Sequence, residues 1–141
     1  DLFNLLESLD YYNLSPPKSL GLEWVNEFIS PIIKRFSEYP IEDLLHTFSK
    51  HFANQISKNL KNSDRVLITG GGAYNTYLLE NIKDVTKAEI IIPNKEIIEF
   101  KEALIFGFLG VLKDLNIDNC YSSVTGAIKN HSSGKIIIPK N

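Results

Sequence analysis

"VLITGGGAYN", residues Val66–Asn75, decides how this chain is read. Arg65–Thr69 is short and rich in β-formers, so it reads as a strand, and three glycines follow at once. Open α/β sheets bind ligands beyond the carboxyl ends of their strands. Glycine takes positive φ freely and lets a ligand approach the backbone closely. A helix start just after it adds unpaired N–H groups and the positive end of a dipole. An anion or another polar ligand is therefore favoured at Gly70, Gly71 and Gly72. A purely structural turn is the alternative.

Two familiar versions of such a turn do not fit. A Walker A loop would bring a lysine to the phosphates through a "GK[ST]" ending, which is absent. In a dinucleotide fingerprint Gly70 and Gly72 would match the first two glycines, but Asn75 stands where the third belongs. Asn75 is better suited to cap a helix.

Downstream, Asn75 to Ile82 reads as a helix, with Tyr77, Leu78 and Ile82 available for a core. "EIIIP" (Glu89 to Pro93) reads as a second strand, and its continuous apolar run suits burial on both faces. A long helix from about Lys95 to Leu115 is apolar on most sides after Phe100, so it should be largely buried. "SSGKIIIP" offers a late strand at Lys135–Ile138.

Upstream, Ile41, Leu44, Leu45, Phe48, Phe52, Ile56 and Leu60 recur at three- and four-residue steps, which predicts a helix over 41–60. Residues 2–9 carry a shorter amphipathic pattern, which "NLSPPKSLG" breaks through its two prolines. A helix resumes near Leu20, and Pro31 should end or kink it. Strand, glycine turn, helix, strand, helix is an α/β order, and its first part suits one right-handed βαβ unit. Two or three strands make a thin sheet for so much helix, so further strands would belong to a missing part.

A chain of 141 residues is one domain of ordinary size, 43% hydrophobic and 23% charged, as soluble globular domains are. The net charge is −2 with both signs dispersed, so no basic run favours nucleic acid or an anionic membrane. A single cysteine, Cys120, rules out an internal disulfide and fits a reducing compartment. No run reaches transmembrane length, and the acidic N-terminus lacks the basic region of a signal peptide. The expected location is the cytoplasm. The chain contains no methionine, so Asp1 reads as something other than a natural start.

Glu102 shares a helix face with Ile98, Ile105, Phe106 and Leu109, so it should lie at the edge of buried surface or be paired; a surface glutamate paired with a lysine is the plainer alternative. Ala103, Gly107 and Gly110 line another face of that helix, where small residues let two backbones approach. His46, His51 and His131 have no ligand spacing and no carboxylate or cysteine cluster to complete a metal site, so they read as ordinary surface or core histidines. Ser122, Ser123 and Thr125 lie in no nucleophile elbow. Tyr11, Tyr12 and Trp24 read as packing residues, because basic interleaving is absent.

"PPKSLGLEW" (Pro16–Trp24), "VLITGGGAYN" and "KEALIFGFLGVL…SSVTGA" (Lys101–Ala127), in this order, resemble the C-terminal half of anhydro-N-acetylmuramic acid kinases across nearly the whole chain. The resemblance implies the actin, hexokinase and heat-shock ATPase fold, in which two ribonuclease-H-like lobes flank a nucleotide cleft. Residues 1–141 would form one lobe, with a short, mainly parallel or mixed sheet flanked by long helices. Residues 1–39 would be a helical lead-in and 40–141 the α/β core.

The implied reaction uses ATP, with Mg2+ accompanying it, and water to convert 1,6-anhydro-N-acetylmuramic acid to N-acetylmuramic acid 6-phosphate in peptidoglycan recycling. Gly70, Gly71, Gly72 and Asn75 match the turn that faces the adenosine and α-phosphate side. Glu102 matches a glutamate expected to face the sugar. Pro17, Lys18, Ser19 and Gly21 match a proline-lysine-serine turn, and Ser123 to Ala127 a C-terminal signature; neither carries an assigned role. The phosphate loop and the aspartate base belong to the other lobe. The resemblance thus implies no catalytic residue in this chain and no kinase activity from it alone, since phosphoryl transfer needs both sides of the cleft. The expected partners are that lobe, ATP, the anhydro-sugar and a second copy of the protein. The alternatives are a stand-alone nucleotide- or dinucleotide-binding module, for which Asn75 argues against NAD as the ligand, and a non-catalytic interaction domain related to chaperone ATPases.

Overall fold

The computed structural model describes residues 1–15 and 18–139. The prolines of the "SPPKS" break, Pro16 and Pro17, lie outside the described residues. The chain divides into two compact units, Asp1–Pro93 and Asn94–Asn141.

The first unit opens with helix α1 (Leu2–Glu7) and a 3-10 turn at Asp10–Asn13. A second helical stretch follows as α2 (Leu22–Trp24), a π turn over Val25–Ile29 and α3 (Ser30–Arg35). Pro31 does not end this helix. It supplies no N–H to the i→i−4 ladder, and the wider π turn lies just ahead of it. Helix α4 (Ile41–Ser57) follows, with Pro40 at its N-cap and Glu42 and Asp43 in a first turn where acidic charge is favoured.

Leu2 and Leu6 lie four apart on one face of α1 and pack with Ile29 and Leu44, flanked by Leu9, Trp24, Val25, Ile32, Phe36 and Phe48. Burying side chains of this kind stabilises by about 1.5–3 kcal/mol each. The short amphipathic pattern at the N-terminus thus serves as a lid on α4.

Strand β1 (Arg65–Leu67) ends ahead of a 3-10 turn at Gly71–Tyr74, and helix α5 (Thr76–Val85) leads to strand β2 (Glu89–Ile91). The two strands pair in parallel, with Arg65 opposite Glu89, Val66 opposite Ile90 and Leu67 opposite Ile91. The Ile68 amide extends the ladder to the Ile91 carbonyl at 3.0 Å. Helix α5 packs against α4 and buries Leu79 and Ile82. This is the α/β arrangement expected of the sequence, built on a sheet of two strands. The second strand is only half-buried, with Glu89 exposed, contrary to the expectation of burial on both faces. A two-stranded sheet offers each strand too few neighbours to enclose it.

The second unit is built on helix α6 (Lys95–Asp114), whose Asn94 side chain caps the first turn by accepting from the Ile97 amide at 3.0 Å. Residues 115–119 turn the chain, with Asn116 at φ 55°, a left-handed conformation that asparagine tolerates. Helix α7 (Ser122–Thr125) ends on Gly126 at φ 72°, whose amide bonds the Ser122 carbonyl at 2.9 Å. Cys120 and His131 form an antiparallel bridge. The Asn119 side chain ties this region together, donating to the Leu109 and Ser133 carbonyls and accepting from the Ser133 amide.

Two expectations fail in this unit. Lys135–Ile138 forms no strand, since no segment among the described residues pairs with it, and Ile137 and Ile138 stand exposed. Helix α6 is not largely buried: Phe100, Leu104, Phe106, Phe108 and Val111 are all exposed, and only Ile98 is buried. Nor do Gly107 and Gly110 receive a close neighbour, because a Cβ built at either meets nothing within 4 Å. No helix among the described residues is long and apolar enough to cross a membrane.

Candidate functional site

The glycine turn lies where the sequence places it, beyond the carboxyl end of β1. Gly70 takes φ 81°, ψ 178°, a region essentially closed to residues with a Cβ. That conformation swings the chain from extended strand into the 3-10 turn. The turn is closed by the Ala73 amide on the Gly70 carbonyl at 2.9 Å and the Asn75 amide on the Gly72 carbonyl at 3.1 Å. Asn75 caps α5, its Oδ1 accepting from the Leu78 amide at 3.0 Å. A Cβ built at Gly70, Gly71 or Gly72 meets nothing within 4 Å, so the backbone of all three borders open space. The amides of Gly71 and Gly72 open the turn, where a helix start leaves N–H groups without an intrahelical acceptor. The turn can therefore present backbone donors to a polar ligand at close range.

Ala73, within the turn, is buried. His46 of α4 hydrogen-bonds through Nδ1 with the Tyr77 hydroxyl in the first turn of α5, and the two rings lie 5.8 Å apart.

Glu102 lies on α6 with its side chain exposed. It makes no ion pair or hydrogen bond among the described residues, so neither the buried-edge nor the lysine-paired expectation holds. Glu102 and the glycine turn belong to different compact units. The Ser123–Ala127 segment proves to be a capped helical turn. Thr125 Oγ1 donates to the Tyr121 carbonyl at 3.0 Å, and Gly126 supplies the left-handed cap. No group of three or more His, Cys, Asp or Glu among the described residues could hold a metal ion.

A polar cluster that sequence reading missed lies between α1 and α4. Glu7 accepts four hydrogen bonds: from His51 Nδ1, Asn54 Nδ2 and Lys58 Nζ, each at 2.6 Å, and from Gln55 Nε2 at 3.0 Å. His51, only 1% exposed, meets the Tyr12 hydroxyl through Nε2 at 2.8 Å. Partial burial works to raise the Glu7 carboxyl. The hydrogen bonds from Lys58, His51 and Gln55 and the Lys58 charge outweigh it and hold the group below its ordinary value. Burial, then the Glu7 and Tyr11 charges, push the Tyr12 phenol up. His51 is thus the satisfied core histidine that its lack of ligand spacing implied. Tyr11, Tyr12 and Trp24 pack edge to face or tilted against one another, as packing residues should. Tyr11, Lys18, Ser19 and Trp24 also line an open cleft of about 580 Å³.

Comparison with known proteins supplies the family. The profile of anhydro-N-acetylmuramic acid kinase matches residues 1–139. The anhydro-N-acetylmuramic acid kinase of Francisella tularensis subsp. novicida (strain U112) is 32% identical, over 87% of this chain and 35% of its own length. That of Bacillus cereus (strain 03BB102) is 32% identical, over 94% of this chain and 38% of its own. The chain therefore spans little more than a third of these curated relatives. On a match along nearly its whole length, the chain belongs to the anhydro-N-acetylmuramic acid kinase family.

Proposed function

We propose that this chain is the C-terminal, nucleotide-side lobe of a kinase that converts 1,6-anhydro-N-acetylmuramic acid to N-acetylmuramic acid 6-phosphate with ATP and water, in the recycling of peptidoglycan. The observation that carries the reading is the open turn at Gly70–Gly72, between a parallel strand and a capped helix, in a chain of this family. Its free backbone faces the adenosine and α-phosphate side of ATP. Glu102 faces the sugar in the assembled enzyme.

Phosphoryl transfer depends on positioning and on charge stabilisation from both sides of a cleft. The residues here supply one side: backbone donors at the turn, held in register by the Asn75 cap. The γ-phosphate, its Mg2+ and the base for the attacking water fall to the rest of the enzyme, so this chain alone transfers no phosphoryl group. Its working location is the cytoplasm. A two-stranded sheet and an exposed, apolar α6 support a lobe that is completed by further polypeptide.

The test is a phosphorylation assay on the anhydro-sugar, with this chain alone and with a full-length protein that contains it. Turnover by the full-length protein and none by the chain is expected. Turnover by the chain alone would overturn the division of labour, and saturable NAD binding without ATP competition would overturn the nucleotide assignment.

A further inference from the structure

The proline-lysine-serine turn is the motif to which the kinase reading gives no task. Its lysine is already engaged within the first unit. Lys18 Nζ donates to the Tyr11 carbonyl at 3.0 Å and to the Tyr12 carbonyl at 3.4 Å, and it lies 4.9 Å from the centre of the Tyr11 ring. Both carbonyls belong to the 3-10 turn at Asp10–Asn13. That turn is held from the other side as well, because the Tyr12 hydroxyl reaches inward to His51.

The order of protons along the inner chain follows from the inventory of donors and acceptors. An ionised carboxylate only accepts, so His51 carries its proton on Nδ1, toward Glu7. His51 Nε2 lies 2.8 Å from the Tyr12 hydroxyl, which donates to it in the tautomer with the single proton on Nδ1. Glu7 is fixed in turn by Asn54, Gln55 and Lys58, all on or at the end of α4. Tyr11 leans on Trp24, the sole tryptophan, with ring centres 5.2 Å apart. The turn at Asp10–Asn13 is thereby gripped from inside through a side chain and from outside through two carbonyls.

We propose that Lys18 is a positioning residue: it clasps the Tyr11–Tyr12 turn from outside while Glu7, His51 and Tyr12 anchor it from inside, and the pair of grips sets the Tyr11–Trp24 wall of the cleft. The competing role is a ligand contact, with the ammonium group directed to a phosphate or carboxylate. This inference goes beyond the kinase reading and stands without it, since every group lies in the first unit and none touches the glycine turn.

Trp24 emission reports the wall, and Lys18→Met keeps the aliphatic stem while removing the ammonium group. Both Lys18→Met and Tyr12→Phe should shift Trp24 emission to the red. The double variant should shift no further than the larger single change, the mark of two grips on one turn. Proton-detected nitrogen NMR of the unaltered chain should find His51 protonated on Nδ1, a readout that needs no variant. Unchanged Trp24 emission in Lys18→Met would overturn the clasp. So would a tenfold loss of affinity for ATP or N-acetylmuramic acid in that variant with emission unchanged. His51 protonated on Nε2 alone would overturn the inner anchor.

Discussion

Single residues carry the distinction between a turn that needs glycine and one that merely tolerates it. Gly70 sits at φ 81°, ψ 178°, so Gly70→Ala should cost about 1–3 kcal/mol in strain. Gly71 has no positive φ and open space around it. Gly71→Ala should therefore leave stability within about 0.5 kcal/mol while placing a methyl group where a nucleotide would approach. Denaturant unfolding and ATP titration of the two variants check the contrast; equal stability losses would remove it. The Asn75 cap was legible in the sequence because a cap and its amide lie three residues apart. The Glu7–His51 pair was not, because its partners lie 44 residues apart and neither residue type announces the other.

Glu7 and Tyr12 also make stability depend on pH, with a sign set by each group. Glu7 titrates below its ordinary 4.5 in the folded chain, so its contribution is complete above about pH 4.5 and is lost as pH falls through the folded value. Tyr12 titrates above its ordinary 10.0, so its contribution is present below that pH and is lost as pH rises through the folded value. Glu7→Gln should flatten the acid limb of a thermal-melt profile and weaken the alkaline limb without abolishing it, since the Glu7 charge is one cause of the raised Tyr12 phenol and burial remains. An acid limb of unchanged slope in Glu7→Gln would assign acid unfolding to other carboxylates.

At the scale of elements, periodicity located the helices at α1, α4, α5 and α6 and the one resumed near Leu20, and β-former composition located both strands. The short α7 was not read, and the other errors fall where an element needs a partner. The apolar run at Lys135–Ile138 has the composition of a strand, but ladder hydrogen bonds need a neighbour, and none is offered among the described residues. The apolar face of α6 predicted burial, yet hydrophobic pattern states only what an element can bury, not what is present to bury it. Volume loss should follow burial rather than residue type. Ile82, 2% exposed on α5, should cost about 2–5 kcal/mol on replacement by alanine. Leu104, 71% exposed on α6, should cost within about 0.5 kcal/mol. Urea midpoints of Ile82→Ala and Leu104→Ala decide this, and a comparable loss at Leu104 would mean that α6 is covered in solution.

At the scale of the whole molecule, the chain is a family member a little more than a third as long as the relatives it matches. Its described residues hold a two-strand sheet, an open glycine turn and a long helix with its apolar residues uncovered. On the proposed reading the glycines of Val66–Asn75 serve backbone access to the nucleotide and supply no reacting group. The measurement that bears on this is an NMR titration of the isotope-labelled chain with ATP. Amide shifts centred on Gly70–Asn75, saturable and reversed by competing ADP, are expected. Saturable shifts centred elsewhere, with the glycine turn unmoved, would overturn the assignment of that turn to the nucleotide.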